Sequence, residues 1–240
     1  GVFVSDELER FGNEAVQVGH WRIVGSPHSL RAAGPPRYRA ANERLFVSTR
    51  GAMTTRSRED VVRAAGRLFA MRGFHGTSMR DLGDELGLLG SSLYSHVDSK
   101  EQLLVEVIQR GADLFQALAD EVTASDATPD QKVANLVRGH VAIITENQDM
   151  SATFLNEARF LPDRERGAIV DMRDRYESTV RGLISDAMAS GPFRDQDPAL
   201  ATIMVLSVLN ALTRWYRADG RKTGEEIASA MVDFILEGLQ

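Results

Sequence analysis

The chain has 240 residues with 28 basic and 34 acidic side chains, a formal net charge of −6, and 43% apolar residues. This is the composition of a globular chain able to bury a core, and it excludes a disordered or collagen-like polymer. With no cysteine, disulfide frameworks, cysteine-type zinc fingers and thiol catalysis are excluded as well.

Charge divides the chain unevenly, +2 over residues 1–52, 0 over 53–104 and −8 over 105–240. We expect the same boundaries for the domains: an irregular N-terminal extension, a small neutral part, and a large acidic part unsuited to lie along phosphates. Within the extension, Gly25-Ser26-Pro27 and Gly34-Pro35-Pro36 interrupt any helical period and only Glu7 to Val18 suits a short helix. Met53 reads as a natural start, which would make residues 1–52 a poorly ordered tail. No unbroken apolar run approaches the roughly 20 residues of a membrane span, and no export signal is evident, so a cytoplasmic protein with no membrane partner is expected.

From Arg58 the pattern is helical. Val61, Val62, Ala65, Leu68 and Phe69 form one stripe ending at Gly73, and Thr77 and Ser78 introduce a second helix of about three turns closed by Gly87. A tight turn follows, then a seven-residue helix over Ser91 to Val97, with Leu88 and Leu93 pinning the pair. Asp98-Ser99-Lys100-Glu101 caps a fourth helix. Further helices are predicted from Pro129, over Thr153 to Phe160, from Pro162 to near Gly191, from Asp197-Pro198 to Asp219, and from Thr223 to the end. No strand-like alternation or fixed-period repeat occurs. The fold class is therefore all-α, an N-terminal three-helix helix-turn-helix domain plus a C-terminal helical ligand-binding and dimerisation domain.

A short helix, a glycine-relieved turn and a third helix describe a helix-turn-helix, whose last helix enters the DNA major groove. Its outward residues Ser91, Ser92, Tyr94, Ser95 and His96 are hydrogen-bonding groups. The stretches Gly73-Phe74-His75-Gly76-Thr77-Ser78-Met79-Arg80-Asp81-Leu82 and Ser92-Leu93-Tyr94-Ser95-His96-Val97-Asp98-Ser99-Lys100-Glu101 resemble the tetracycline-repressor (TetR) family of transcriptional regulators. Val97 stands where that family has phenylalanine, and Leu89-Gly90 replaces a small polar pair. The resemblance implies phosphate contacts from Thr77, Ser78, Tyr94, His96 and Lys100, and base-edge contacts from Ser91, Ser92 and Ser95. Arg56 and Arg58 are expected to act as an arm toward the minor groove.

The implied partners are a double-stranded DNA operator, a small-molecule effector and a second copy of the chain. Dimerisation is assigned to the last two helices, where Ile203, Met204, Leu206, Leu209 and Leu212 are apolar over more than one face. Candidate effector-pocket residues are Phe115, Leu118, Ile143, Met150, Phe154, Met172, Tyr176 and Trp215, with Asn156, Arg159 and Arg175 as polar ends. Asn156-Glu157-Ala158-Arg159 and Trp215-Tyr216-Arg217-Ala218 further resemble regulators of fatty-acid and steroid-ring catabolism, which implies an acyl-coenzyme A effector. Arg159, Arg173 and Arg175 would meet its phosphates, unless they form an exposed charged lattice. No cofactor or metal is expected, because the five histidines lack ligand spacing and no hydrolase, phosphate-loop or dinucleotide motif occurs. An enzyme is thereby disfavoured. The remaining alternative is a helical interaction protein whose helix-turn-helix no longer binds DNA, as the neutral charge of residues 53–104 would permit.

Overall fold

The computed structural model describes residues 57–240 except Leu89, with the Ser91 side chain also outside the description. The predicted extension with its Glu7 to Val18 helix, the start at Met53, and Arg56 lie outside the described residues.

Ser57 starts α1 (Arg58–Arg72) through a reciprocal cap: its hydroxyl accepts from the Asp60 amide at 3.2 Å and Asp60 accepts from the Ser57 amide at 3.0 Å. Such caps contribute about 1 kcal/mol each. Gly73, with φ 75°, closes the helix by a turn that a side chain would strain. Ser78 and Asp81 repeat the cap at α2 (Met79–Leu86), which ends on the left-handed Gly87.

Next, α3 (Gly90–Tyr94) is shorter than the predicted seven residues. The Leu93 carbonyl accepts from both the His96 and Val97 amides, at 3.0 and 3.3 Å, turning the chain out of the helix. Ser95 reinforces this by donating its hydroxyl to the Ser92 carbonyl at 2.7 Å. Ser95 and His96 therefore sit in a turn beyond α3.

Ser99 caps α4 (Lys100–Ala124), a 25-residue helix about 38 Å long. Its first turns bury Leu103, Leu104 and Val107 on the side packed against α1, and later turns bury Phe115 and Ala119. The boundary expected after residue 104 therefore falls inside a continuous helix, and residues 57–240 form a single unit.

The rest of the chain forms α5 (Pro129–Glu146), α6 (Gln148–Asn156), a 3-10 turn (Ala158–Phe160), α7 (Asp163–Ala189), α8 (Pro198–Asn210), α9 (Leu212–Trp215) and α10 (Gly224–Leu239). Helix α6 begins five residues before the sequence suggests. The helix expected to reach Asp219 breaks at Ala211 and ends at Trp215. All described regular elements are helical.

The continuous core runs from Val61 and Phe69 through Leu93 and Leu104 to Ile144, Ile184, Leu206 and Leu209. Among the described residues, Pro198–Trp215 is the stretch long and apolar enough to cross a membrane by composition, with a mean hydropathy of 1.3. In this fold α8 packs Ala201, Val205, Leu206 and Leu209 into the core, which explains the same apolar composition.

Candidate DNA-binding surface and effector core

Packing sorts the expected DNA-contact residues into two groups. Tyr94 is 55% exposed, and Ser92 and Ser95 are exposed with it, because Leu93 turns inward at 0% exposure. His96 is half-buried at the end of this surface.

The second group is engaged within the protein: Thr77 is buried and Lys100 half-buried, whereas Arg58 and Ser78 are exposed with their polar groups held by intramolecular partners. Thr77 is 1% exposed, and its hydroxyl donates to the Gly73 and Leu68 carbonyls at 3.0 and 3.2 Å. The Lys100 ammonium donates to the Phe74 and Thr77 carbonyls at 2.9 and 2.8 Å and lies 4.2 Å from the centre of the Phe74 ring. Arg58 pairs with Glu106 at 2.9 Å and donates to the His96 carbonyl at 2.8 Å. The Ser78 hydroxyl is engaged by Asp81, whose carboxyl these hydrogen bonds and the nearby Arg72 guanidinium hold below the usual range. These residues set the frame from which α3 projects.

Replacing Lys100 by methionine tests that assignment. The variant keeps the stem but strips charged donors from two loop carbonyls, which lowers stability by about 2 kcal/mol. A fall in melting temperature of roughly 4–8 °C is the expected reading for a chain of this size. An unchanged melt would return Lys100 to the surface role.

The neutral charge of this region has a local explanation. Glu59 pairs with Arg63 at 3.2 Å, Glu85 with Arg67 at 3.0 Å and Asp81 with Arg72 at 3.2 Å, all on α1 and α2. Exposed pairs of this kind add little stability, but they neutralise acids that would otherwise oppose a phosphate backbone.

In the C-terminal helices the structure gathers three of the expected pocket residues. The Phe115 ring lies 5.5 Å from Phe154 and 5.6 Å from Tyr176, and all three side chains are buried. Sequence reasoning missed the polar residue among them. The His140 imidazole lies 4.7 Å from the Phe115 ring, and its Nδ1 is 2.9 Å from the Tyr176 hydroxyl. Burial pushes His140 down to about 3, with the Asn210 side chain acting in the opposite direction, and pushes the Tyr176 phenol up. Both groups are neutral at physiological pH.

Ile143, Met150, Met172 and Leu118 are half-buried against the continuous core. Met150 and Phe154 lie so close to Gly111 that a Cβ there would come within 2.9 Å of Phe154. Asn156, Arg159, Arg175 and Trp215 are exposed and do not join the cluster, contrary to expectation. The Asn156 amide instead donates to the Ala152 carbonyl and the Arg159 guanidinium covers the Phe160 ring at 4.7 Å, while Trp215 ends a short helix at 52% exposure. Arg173 departs from the exposed-lattice reading: it is partly buried, donates to the Phe154 carbonyl and covers the Phe154 ring. Burial pulls it down to about 10, which leaves it charged at neutral pH.

A surface groove of about 540 Å³ between α5 and α10, lined by Arg138, Thr145, Glu146, Tyr216 and Glu225, contains none of the expected pocket residues. A second, of about 270 Å³ between α1 and α6, contains Met150.

Helix α6 bridges the two regions. Phe154 enters the aromatic cluster, while the neighbouring Thr153 donates its hydroxyl to the Gly66 carbonyl on α1 at 3.2 Å. Just beyond the helix, the Glu157 carboxylate accepts from the buried Phe74 amide at 2.8 Å. Phe160 then lies 4.5 Å from the His75 ring.

An all-helical chain with a helix-turn-helix at one end and a buried aromatic cluster at the other defines a regulator of the helix-turn-helix class. Residues 61–107 match the family described as bacterial regulatory proteins of the tetR family, and residues 126–239 match a tetracyclin repressor-like C-terminal domain. The chain belongs to the TetR family of transcriptional regulators. It is 28% identical to the transcriptional repressor KstR2 of Rhodococcus jostii over 184 residues, 76% of this chain and 90% of that protein. The regulator PfmR of Thermus thermophilus has 33% identity and a TM-score of 0.69, covering 75% of this chain and 98% of that one. AibR, solved with isovaleryl coenzyme A and operator DNA, has 27% identity and a TM-score of 0.68, covering 74% and 96% of the two chains.

Proposed function

We propose that the protein is a cytoplasmic dimeric repressor that binds a palindromic operator and is released by a small-molecule effector of the acyl-coenzyme A class. The observation that carries the DNA-binding reading is the surface of Ser92, Tyr94 and Ser95, held outward by the buried Leu93. Hydroxyls there can meet phosphates and base edges, and a two-fold pair of such surfaces fits adjoining major grooves. The last two helices support the dimer: Leu200 and Met204 on α8 and Phe234 on α10 are 54%, 48% and 67% exposed. Large apolar side chains left in water over two adjacent helices suit a four-helix seam.

Support for an acyl-coenzyme A effector comes from AibR, which was solved with such a ligand. The route for its signal is α6 with Glu157 just beyond it, which together touch the aromatic cluster and the loop before α2. A coupling of about 1–3 kcal/mol along this route changes operator affinity roughly 5- to 150-fold.

A mobility shift on the DNA upstream of the protein's own gene tests the reading. Wild type is expected to retard that DNA at low salt, and Tyr94→Ala to weaken retardation at least about tenfold. Complete failure of wild type to retard it would favour a helical interaction protein instead.

A further inference from the structure

The described DNA-binding part holds its cations within the protein. Residues 57–104 carry six basic and seven acidic side chains. Each of the six, Arg58, Arg63, Arg67, Arg72, Arg80 and Lys100, faces a carboxylate or a main-chain carbonyl of the same chain. A phosphate can recruit an exposed arginine from such a pair, because these pairs hold weakly, but the carboxylate left behind then opposes it. The surface of Ser92, Tyr94 and Ser95 offers hydroxyls, and a hydroxyl releases no counterion from the duplex. A binder built this way lacks the sequence-independent part of its affinity.

The missing cations stand immediately before the fold in the sequence. Residues 22–56 carry seven arginines and one acid, Glu43, for a net charge of +6. The structure fixes where this segment is attached. Ser57 caps α1, and the next residue, Arg58, donates to the His96 carbonyl at 2.8 Å, in the turn that closes the recognition surface. The chain preceding Ser57 is thus joined to the fold within one arginine side chain of that surface. An extended chain advances about 3.3 Å per residue, so the tether from Ser57 back to Arg44 can span about 43 Å, more than the roughly 34 Å of a duplex turn.

We propose that residues 22–56 are a second DNA-contacting element, whose arginines neutralise the phosphates flanking the site that α3 reads. The inference rests on the DNA-binding reading and supplies its electrostatic part. Sequence discrimination stays with α3, while the arginine segment strengthens binding to any duplex.

Changing Arg31, Arg37, Arg39 and Arg44 together to glutamine in the full chain tests this. Binding to labelled upstream DNA, and to a scrambled duplex of equal length, is followed by fluorescence anisotropy from low to high salt. Each arginine that meets a phosphate steepens the plot of log affinity against log salt by about 0.9, so four from each of two protomers can contribute about 7. The glutamine variant is expected to lose at least about 2 of the wild-type slope and at least about tenfold in affinity, on both duplexes alike and with its melting temperature unchanged. The same four positions changed to lysine keep the charge and should keep the slope.

A slope unchanged by the glutamine substitutions would overturn the proposal. So would a loss confined to upstream DNA, or one that lysine fails to restore, since either marks contact with bases rather than phosphates. The operator reading fails by a different result: a wild type that binds the two duplexes equally has no specific site, and the arginine segment is still read from the slope on either duplex.

Discussion

Leu93→Ala should weaken operator binding by about a hundredfold while leaving most of the helical content in place. Leu93 is fully buried, and the cost of removing a side chain of this kind from a packed core is about 3 kcal/mol. The damage is expected to stay local. At five residues, α3 is far shorter than the roughly 12–15 residues at which an isolated helix is even marginally stable in water. Its conformation therefore depends on docking against α2 and the core, and Leu93 is the buried side chain that docks it. The longer α4, α5 and α7 keep their own buried faces. Far-ultraviolet circular dichroism should change little, while operator affinity falls by about a hundredfold, the equivalent of a loss near 3 kcal/mol. Full DNA retardation by a variant with this loss of stability would show that α3 is not the element that meets the duplex.

That prediction draws on features legible in the sequence as well as on features visible only in the fold. Apolar spacing and caps indicate α1 and α2 because those signals are local: Ser57 with Asp60 and Ser78 with Asp81 are three residues apart, and Gly73 and Gly87 close the helices they follow. Leu93 is legible in the same way. The assignment of Thr77 and Lys100 to phosphate depended on family resemblance, and their inward hydrogen bonds depend on partners 4 to 26 residues away. A hydroxyl or ammonium in the sequence does not say which way it points.

The effector core divides along the same line. Phe115, Phe154 and Tyr176 are apolar residues at helical spacing, and they meet. Asn156, Arg159 and Arg175 read in the sequence as polar ends to a pocket, but the fold leaves them in solvent. The signal for the buried polar group was present: His140 occupies the apolar stripe of Val133, Leu136, Val137 and Val141. Its relation to Tyr176, 36 residues on, required the helices to be packed.

Stability between pH 7 and pH 5 should depend on His140. Burial holds its folded-state value at about 3, whereas an exposed histidine titrates near 6.5. Below pH 6.5 the unfolded chain takes up a proton that the folded chain refuses, so the unfolded state binds more protons and stability falls as pH falls. The loss accumulates at about 1.4 kcal/mol per pH unit until the folded imidazole itself titrates, and reaches about 2 kcal/mol at pH 5. Asp149 acts oppositely, since partial burial raises its carboxyl and the folded state gains protons more readily as pH falls. The difference between wild type and His140→Gln isolates the imidazole from such terms. Glutamine cannot titrate, so the variant, although less stable at pH 7, should lose about 2 kcal/mol less than wild type between pH 7 and pH 5 in urea unfolding at matched protein concentration. Parallel losses in the two proteins would mean that His140 reaches solvent in the folded state.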